Sequence, residues 1–348
     1  MKNYRALLAV AALLLMSGLA AGRYFADVPG EGPALAFYWW KSVYDPLPEE
    51  QDMAAESGAS RLYLRFFDVV GKGGWPVPAA TVAFRQRPEL PVIPVVFIDN
   101  EAVRDSGGEE AQLAGKIVGR VLAIGQGNNL DLPGELQIDC DWTESTRERY
   151  FALLREIKAR LPQGWRLSVT LRLYAFRYPG KAGVPPADRA TLMAYNMGEL
   201  RRAGEHNSIL SASVAKAYMS RDGAYPLPLD VALPLFSWGV LFNGETYVGL
   251  IRRVPEVLGP EGPPPPAWKR LGPNLFELRE DAALEGRRLP RGLTLRVERT
   301  EPEELEALVR ELRKGAPRPD NVLFYHLDAA TVKPWRARQL RSLVDAFR

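Results

Sequence analysis

Two carboxylates stand two residues apart in Gln137-Ile138-Asp139-Cys140-Asp141-Trp142-Thr143, a run in which Ile138 and Cys140 are apolar. Side chains alternate between the two faces of a strand, so Asp139, Asp141 and Thr143 share one face and the apolar residues pack on the other. The same parity brings cations to that face from two further runs. Tyr63, Arg65 and Phe67 stand opposite Leu62, Leu64 and Phe66, and Arg166, Ser168, Thr170, Arg172 and Tyr174 stand opposite Leu167, Val169, Leu171 and Leu173. Paired carboxylates about 5–10 Å apart are the equipment for acid–base cleavage of a glycosidic bond. Asp141 is the best-placed catalytic candidate and Asp139 stands beside it, with Asp99, Glu144 and Asp328 as further partners. Trp39, Trp40, Trp142, Tyr174, Tyr195, Trp238 and Tyr325 recur near strand ends, where aromatic faces, with Arg65 and Arg172, suit a sugar. The alternative for the charges is an ion-pair network that only fills space.

Composition removes other classes. The chain has 348 residues, 47% apolar and 25% charged, enough to bury a large core. Its formal charge is +3, and Lys2 and Arg5 supply two of those charges, so the remainder is close to neutral and lacks the basic surplus of a nucleic-acid binder. Cys140 is the single cysteine, which excludes an internal disulfide, and no Cys/His metal spacing occurs. No Gly-rich phosphate loop follows the first strand, so the residues call for neither a metal nor a cofactor. His206 reads as an exposed loop residue and His326 as structural. Ser168 and Ser237 lack the His and Asp partners of a serine hydrolase.

The elements that must position these residues follow from periodicity. Strands are predicted over 35–40, 62–69, 92–99, 136–142, 167–176, 192–196, 231–238 and 322–328. Helical stripes separate them over 109–124, 145–161, 208–219 and 334–347. Strand–helix alternation through eight units argues an α/β fold closed as a (β/α)₈ barrel, with an open doubly wound sheet as the alternative. The barrel domain spans 30–348. It includes a rim insertion plus helix at 243–316, between strands seven and eight. That stretch holds four consecutive prolines at 263–266, a short strand at 293–297 and a helix at 302–314 whose acidic start and basic end suit the helix dipole.

Residues 1–22 read as a signal peptide. Lys2 and Arg5 precede an apolar run that exits through Ser17-Gly18-Leu19-Ala20-Ala21-Gly22. The protein is then exported, periplasmic or extracellular. An uncleaved anchor facing outside the cytoplasm is the alternative, and would be its one membrane contact.

Several segments resemble an uncharacterised bacterial family, domain of unknown function 3142. They are Phe37-Tyr38-Trp39-Trp40, the run from Gln137 to Thr143, Ala194-Tyr195-Asn196-Met197-Gly198, the run from Asp230 to Trp238, and Phe324-Tyr325-His326-Leu327-Asp328. More distantly the chain resembles the chitinase-like family eighteen glycoside hydrolases, which are barrels with aspartates on strand four leading to a proton-donating glutamate. Asp139 and Asp141 match the two later aspartates, and Thr143 stands where the glutamate belongs. A threonine has no proton to give at a useful pKa, so that acid step does not carry over. The sixth-strand motif reads Met193, Tyr195 and Asn196, and Tyr325 replaces a tryptophan at the end of strand eight.

The resemblance implies a barrel acting on or binding a polysaccharide or glycoconjugate. A non-catalytic carbohydrate-binding barrel and an envelope assembly protein are the alternatives. Fold alone does not choose among them. N-terminal sequencing of exported protein is expected to begin near Ala21 or Gly22; Met1 retained in carbonate-washed membranes would show an anchor instead.

Overall fold

The computed structural model describes residues 32–348 except 221–222, 253, 255–257, 260–261 and 317, so the expected signal peptide at 1–22 lies outside the described residues. Eight parallel strands carry the fold: β1 (Ala34–Trp39), β2 (Ala59–Lys72), β3 (Val92–Ile98), β4 (Glu135–Asp139), β5 (Arg166–Arg172), β6 (Arg189–Met193), β7 (Leu229–Pro234) and β8 (Asn321–Tyr325). Each pairs with its neighbour in sequence, and β1 pairs with both β8 and β2, which closes the (β/α)₈ barrel. Closure excludes the open-sheet alternative. No described helix is long and apolar enough to cross a membrane.

Two apolar layers follow from the alternation. The larger lies between strands and helices and includes Leu35, Phe37, Leu136, Ile138, Leu167, Val169 and Leu171 of the strands and Leu153, Leu154 and Ile157 of helix Arg147–Arg160. The smaller fills the barrel interior with Ala36, Tyr38, Tyr63, Ile93, Val95, Ala232 and Leu323. Cys140 is fully buried on the helix side.

Several strand ends differ from the sequence reading. β4 stops at Asp139, because Trp142 turns back to stack on Tyr150 at 5.3 Å and packs against Phe151. β5 stops at Arg172, where the short helix Leu173–Arg177 begins and buries Leu173 and Phe176 at helical spacing. β7 stops at Pro234, and Trp238 instead opens a rim strand, Trp238–Asn243. In β2 the register shifts between Arg65 and Phe67, a bulge that sends Phe67 outward, where Arg120 lies over its ring at 5.3 Å. The same bulge aligns Asp68 with Arg65, 3.6 Å apart.

Between β7 and β8 the chain builds a five-stranded antiparallel sheet with its own core of Leu241, Ile251, Trp268, Phe276, Leu278, Leu295 and Val297. Its strands are Trp238–Asn243, Thr246–Ile251, Trp268–Arg270, Leu275–Leu278 and Thr294–Glu298, followed by helix Pro302–Gly315. The Arg296 and Glu298 side chains are fully buried and paired at 2.6 Å. Arg296 also donates to the carbonyls of Leu200, Arg202 and Gly204, tying the sheet to the loop after β6. His206, which sequence leaves in solvent, takes part there, with Nδ1 3.4 Å from Arg296.

The interior floor holds a second buried pair, Arg189 on β6 and Asp230 on β7, 3.5 Å apart. Asp230 also accepts from the Asn321 backbone at 2.8 Å. Arg189 also pairs with Asp320, so Asp230→Ala leaves that cation partly compensated but orphans the buried Asn321 donors, at an expected cost of about 1–3 kcal/mol in urea unfolding. A loss below about 1 kcal/mol would mean that water reaches the pair.

Candidate active-site cleft

The cleft is built on a column of side chains along β4. Glu135, Gln137 and Asp139 point into the barrel at three successive levels, and each meets a hydroxyl. Glu135 Oε1 accepts from Ser168 Oγ at 2.6 Å. Gln137 Oε1 accepts from the Tyr38 hydroxyl at 2.7 Å, while its Nε2 donates to Thr191 Oγ1 at 3.0 Å. At the top, Asp139 Oδ1 accepts from Thr170 Oγ1 at 2.6 Å. Buried polar groups are costly without such partners, so the hydroxyls hold the column and Asp139 at its top in place.

Above it opens a cleft of about 1570 Å³. Tyr325 is central to its aromatic wall, with ring centroids 5.5 Å from Tyr195, 5.7 Å from Trp40 and 5.7 Å from Phe236. Phe236 lies 5.2 Å from Trp238, whose Nε1 donates to Glu298 at 2.8 Å. Arg65 lies 5.4 Å from the Trp40 ring. Its Nε is buried without a hydrogen-bond partner, as is Oδ1 of Asp68.

Burial pushes the Asp139 carboxyl up to about 7; the Thr170 hydrogen bond opposes the shift, and the charges of Asp141 and Asp68 add to it. Burial also raises the Tyr38 and Tyr195 phenols well above the usual range, leaving them as neutral donors. His326, which lines the cleft with Nδ1 buried and unpartnered, is pulled down to about 4 by burial, against the pull of Asp328, so its imidazole is neutral at pH 7. Among the described residues no group of three His, Cys, Asp or Glu side chains is placed to hold a metal ion.

Of the residues singled out in the sequence, Asp139, Asp141, Trp40, Arg65, Arg172, Tyr174, Tyr195, Trp238, Tyr325 and Asp328 line this cleft. Asp141 and Arg172 stand 3.6 Å apart with both side chains 55% exposed, a rim pair instead of the desolvated one that strand parity suggested. Four others lie elsewhere. Trp39 is on the helix side of β1, against Tyr44 at 4.7 Å. Trp142 is packed under helix Arg147–Arg160 and donates to the Ala182 carbonyl at 3.0 Å. Asp99 caps helix Asn100–Asp105, accepting from Ala102 N at 2.6 Å and Gly71 N at 3.2 Å. Glu144 is exposed in the turn after β4, outside the cleft. Thr143 also leaves the strand face, its hydroxyl 3.0 Å from Ser145 and 3.2 Å from Thr146.

Sequence reading missed Glu135, Gln137, Arg189, Asp230, Arg296 and Glu298. The alternation of Glu135-Leu136-Gln137-Ile138-Asp139 carried a signal for the first two. Arg189 and Asp230 precede the apolar runs of their strands and look like loop residues until the barrel closes around them.

No family model matches the chain, and no curated protein sequence does. Among solved structures the fold is similar to the spore cortex-lytic enzyme SleL of Bacillus cereus, with TM-score 0.51 and 14% identity over 92% of this chain and 76% of that one. It is similar also to the C-terminal domain of a chitinase-assigned protein of Desulfitobacterium hafniense, with TM-score 0.53 and 10% identity over 91% of this chain and 100% of that one. The chain therefore has the fold of the chitinase-like barrels.

The raised Asp139 pKa makes a signed prediction. A carboxyl whose folded value lies above its unfolded value stabilises most below about 4, and that contribution is lost as pH rises through about 7. Asp139→Asn should therefore gain stability relative to the parent between pH 4 and 7, by at most about 1.4 kcal/mol per pH unit. Thermal melts of both proteins across that range test it. Parallel pH profiles would mean that Asp139 titrates as an ordinary carboxylate.

Proposed function

We propose that the protein is an exported glycoside-hydrolase-like barrel that binds a polysaccharide or glycoconjugate in this cleft and uses Asp139 and Asp141 for acid–base chemistry on it. The observation that carries the reading is Asp139: a carboxyl raised to about 7, at the floor of an open, aromatic-walled cleft, with a second carboxylate two residues away. A group that holds its proton at neutral pH can give it to a leaving oxygen. Asp141, paired with Arg172 at the rim, is the second carboxyl group of the pair, set to act on water or on charge developing on the sugar. Trp40, Tyr195, Phe236, Trp238 and Tyr325 supply the ring faces against which sugar rings stack.

One observation favours the non-catalytic alternative. Thr143, which matches the position of the chitinase-type glutamate, has its hydroxyl engaged with Ser145 and Thr146 away from the cleft. In that reading the same walls bind a glycan without cleaving it.

Incubation of the protein with a panel of polysaccharides and peptidoglycan fragments separates the two. Under the catalytic reading Asp139→Asn and Asp141→Asn retain binding and lose at least about 10²-fold in turnover. The parent rate then falls as pH rises through about 7. Binding weakened by Trp40→Ala, with no turnover of any glycan by the parent, would establish the binding barrel and overturn the catalytic assignment.

A further inference from the structure

Neighbouring strand ends of the rim sheet bring three side chains to the cleft. Strand Trp238–Asn243 leaves the barrel at Trp238, and both its partners run back toward the mouth. On one side Gly239 pairs with Ile251, so Arg252 emerges beside Trp238. On the other side Trp238 pairs with Glu298, and Arg299 follows one residue past that pair with the opposite strand parity. Arg252, Trp238 and Arg299 all line the cleft.

The two guanidiniums differ from the other cations there. Arg65 faces Asp68, Arg172 faces Asp141, and Lys41 faces Glu50 and Asp328. Among the described residues neither Arg252 nor Arg299 forms a salt bridge, and Arg299 instead donates to the Leu258 carbonyl at 2.9 Å. Burial pulls the Arg299 pKa down, Glu301 opposes the shift and the Arg270 charge adds to it. The charge of Arg252 also opposes the rise of the Tyr325 phenol pKa, as that of Arg65 does.

A flat ring and two guanidiniums lining one cleft fit a sugar that stacks by one face and carries a planar anion, since a guanidinium matches a carboxylate with two parallel hydrogen bonds. We infer that Arg252 and Arg299, lining the cleft with Trp238, recognise a carboxylate-bearing sugar unit, so that the glycan taken by this cleft is anionic. The inference rests on the glycan reading above and narrows it to a substrate class.

Calorimetric titration of the full chain with chitohexaose (neutral) and hyaluronan hexasaccharide (alternating uronate) tests it. The uronate oligomer is expected to bind about tenfold more tightly at about 0.05 M NaCl, and the advantage should shrink at about 0.5 M as the charges are screened. Arg252→Gln and Arg299→Gln should each weaken uronate binding several-fold more than chitohexaose binding, with unchanged melting temperatures as the check on folding. Equal affinities for the two oligomers, or equal losses in the variants, would overturn the anionic assignment and leave the glycan reading standing. A sulfated chitohexaose bound more tightly than the uronate oligomer would overturn the carboxylate. Failure of every oligosaccharide to bind would overturn both readings together.

Discussion

The interior of a closed barrel has little access to water, and every polar side chain aimed into it must find its partner there. That constraint governs this molecule. Three consecutive inward positions of β4 are polar, and each has recruited a hydroxyl: Ser168 for Glu135, Tyr38 for Gln137 and Thr170 for Asp139. The neighbouring strands therefore cannot slide relative to β4 without stranding a buried group. The column sets the height of Asp139, and the aromatic ring around Tyr325 closes over it. Most barrels fill this space with branched apolar residues, which hold shape without fixing any one polar atom. Here the filling itself carries the geometry.

The cleft has walls of two kinds. Its floor belongs to the barrel strands, whose backbone is hydrogen-bonded on both sides. Its upper wall belongs to the rim sheet, which has a separate apolar core and reaches the barrel through Arg296 and Glu298. Glu298 has two tasks. It neutralises Arg296 with one oxygen, and with the other it accepts from Ser208 and from the Trp238 indole. The orientation of an aromatic wall residue is thus coupled to a buried ion pair that never touches the cleft.

Much of this was legible in the sequence. The eight strands and their order follow from the alternation of apolar runs and helical stripes, and the inward parity of Asp139, Thr170 and Arg65 follows from the two-residue repeat of a strand. What was not legible depends on ends and breaks. Trp39 and Trp40 are adjacent, and only the frame of β1 decides that Trp40 faces the cleft while Trp39 packs outward. Trp142 was misplaced because β4 ends three residues early, and Phe67 because a bulge reverses the parity after Arg65. Arg189 and Asp230 look like solvent-facing residues at the edge of apolar runs, and only closure of the cylinder buries them. The rim strands are short and carry little periodic signal of their own.

The junction between barrel and rim sheet also bears on how such a chain can change over time. The sheet is inserted through two crossings that lie side by side, since Trp238 at its entry pairs with Glu298 at its exit. A segment whose ends meet, and which buries its own apolar residues, can be lengthened, trimmed or replaced by recombination without disturbing the cylinder beneath. The barrel floor that carries Asp139 and the upper wall that carries Trp238 are therefore separable units of inheritance. Descendants of one ancestral barrel could keep the first and exchange the second, acquiring new ligands through a single splice.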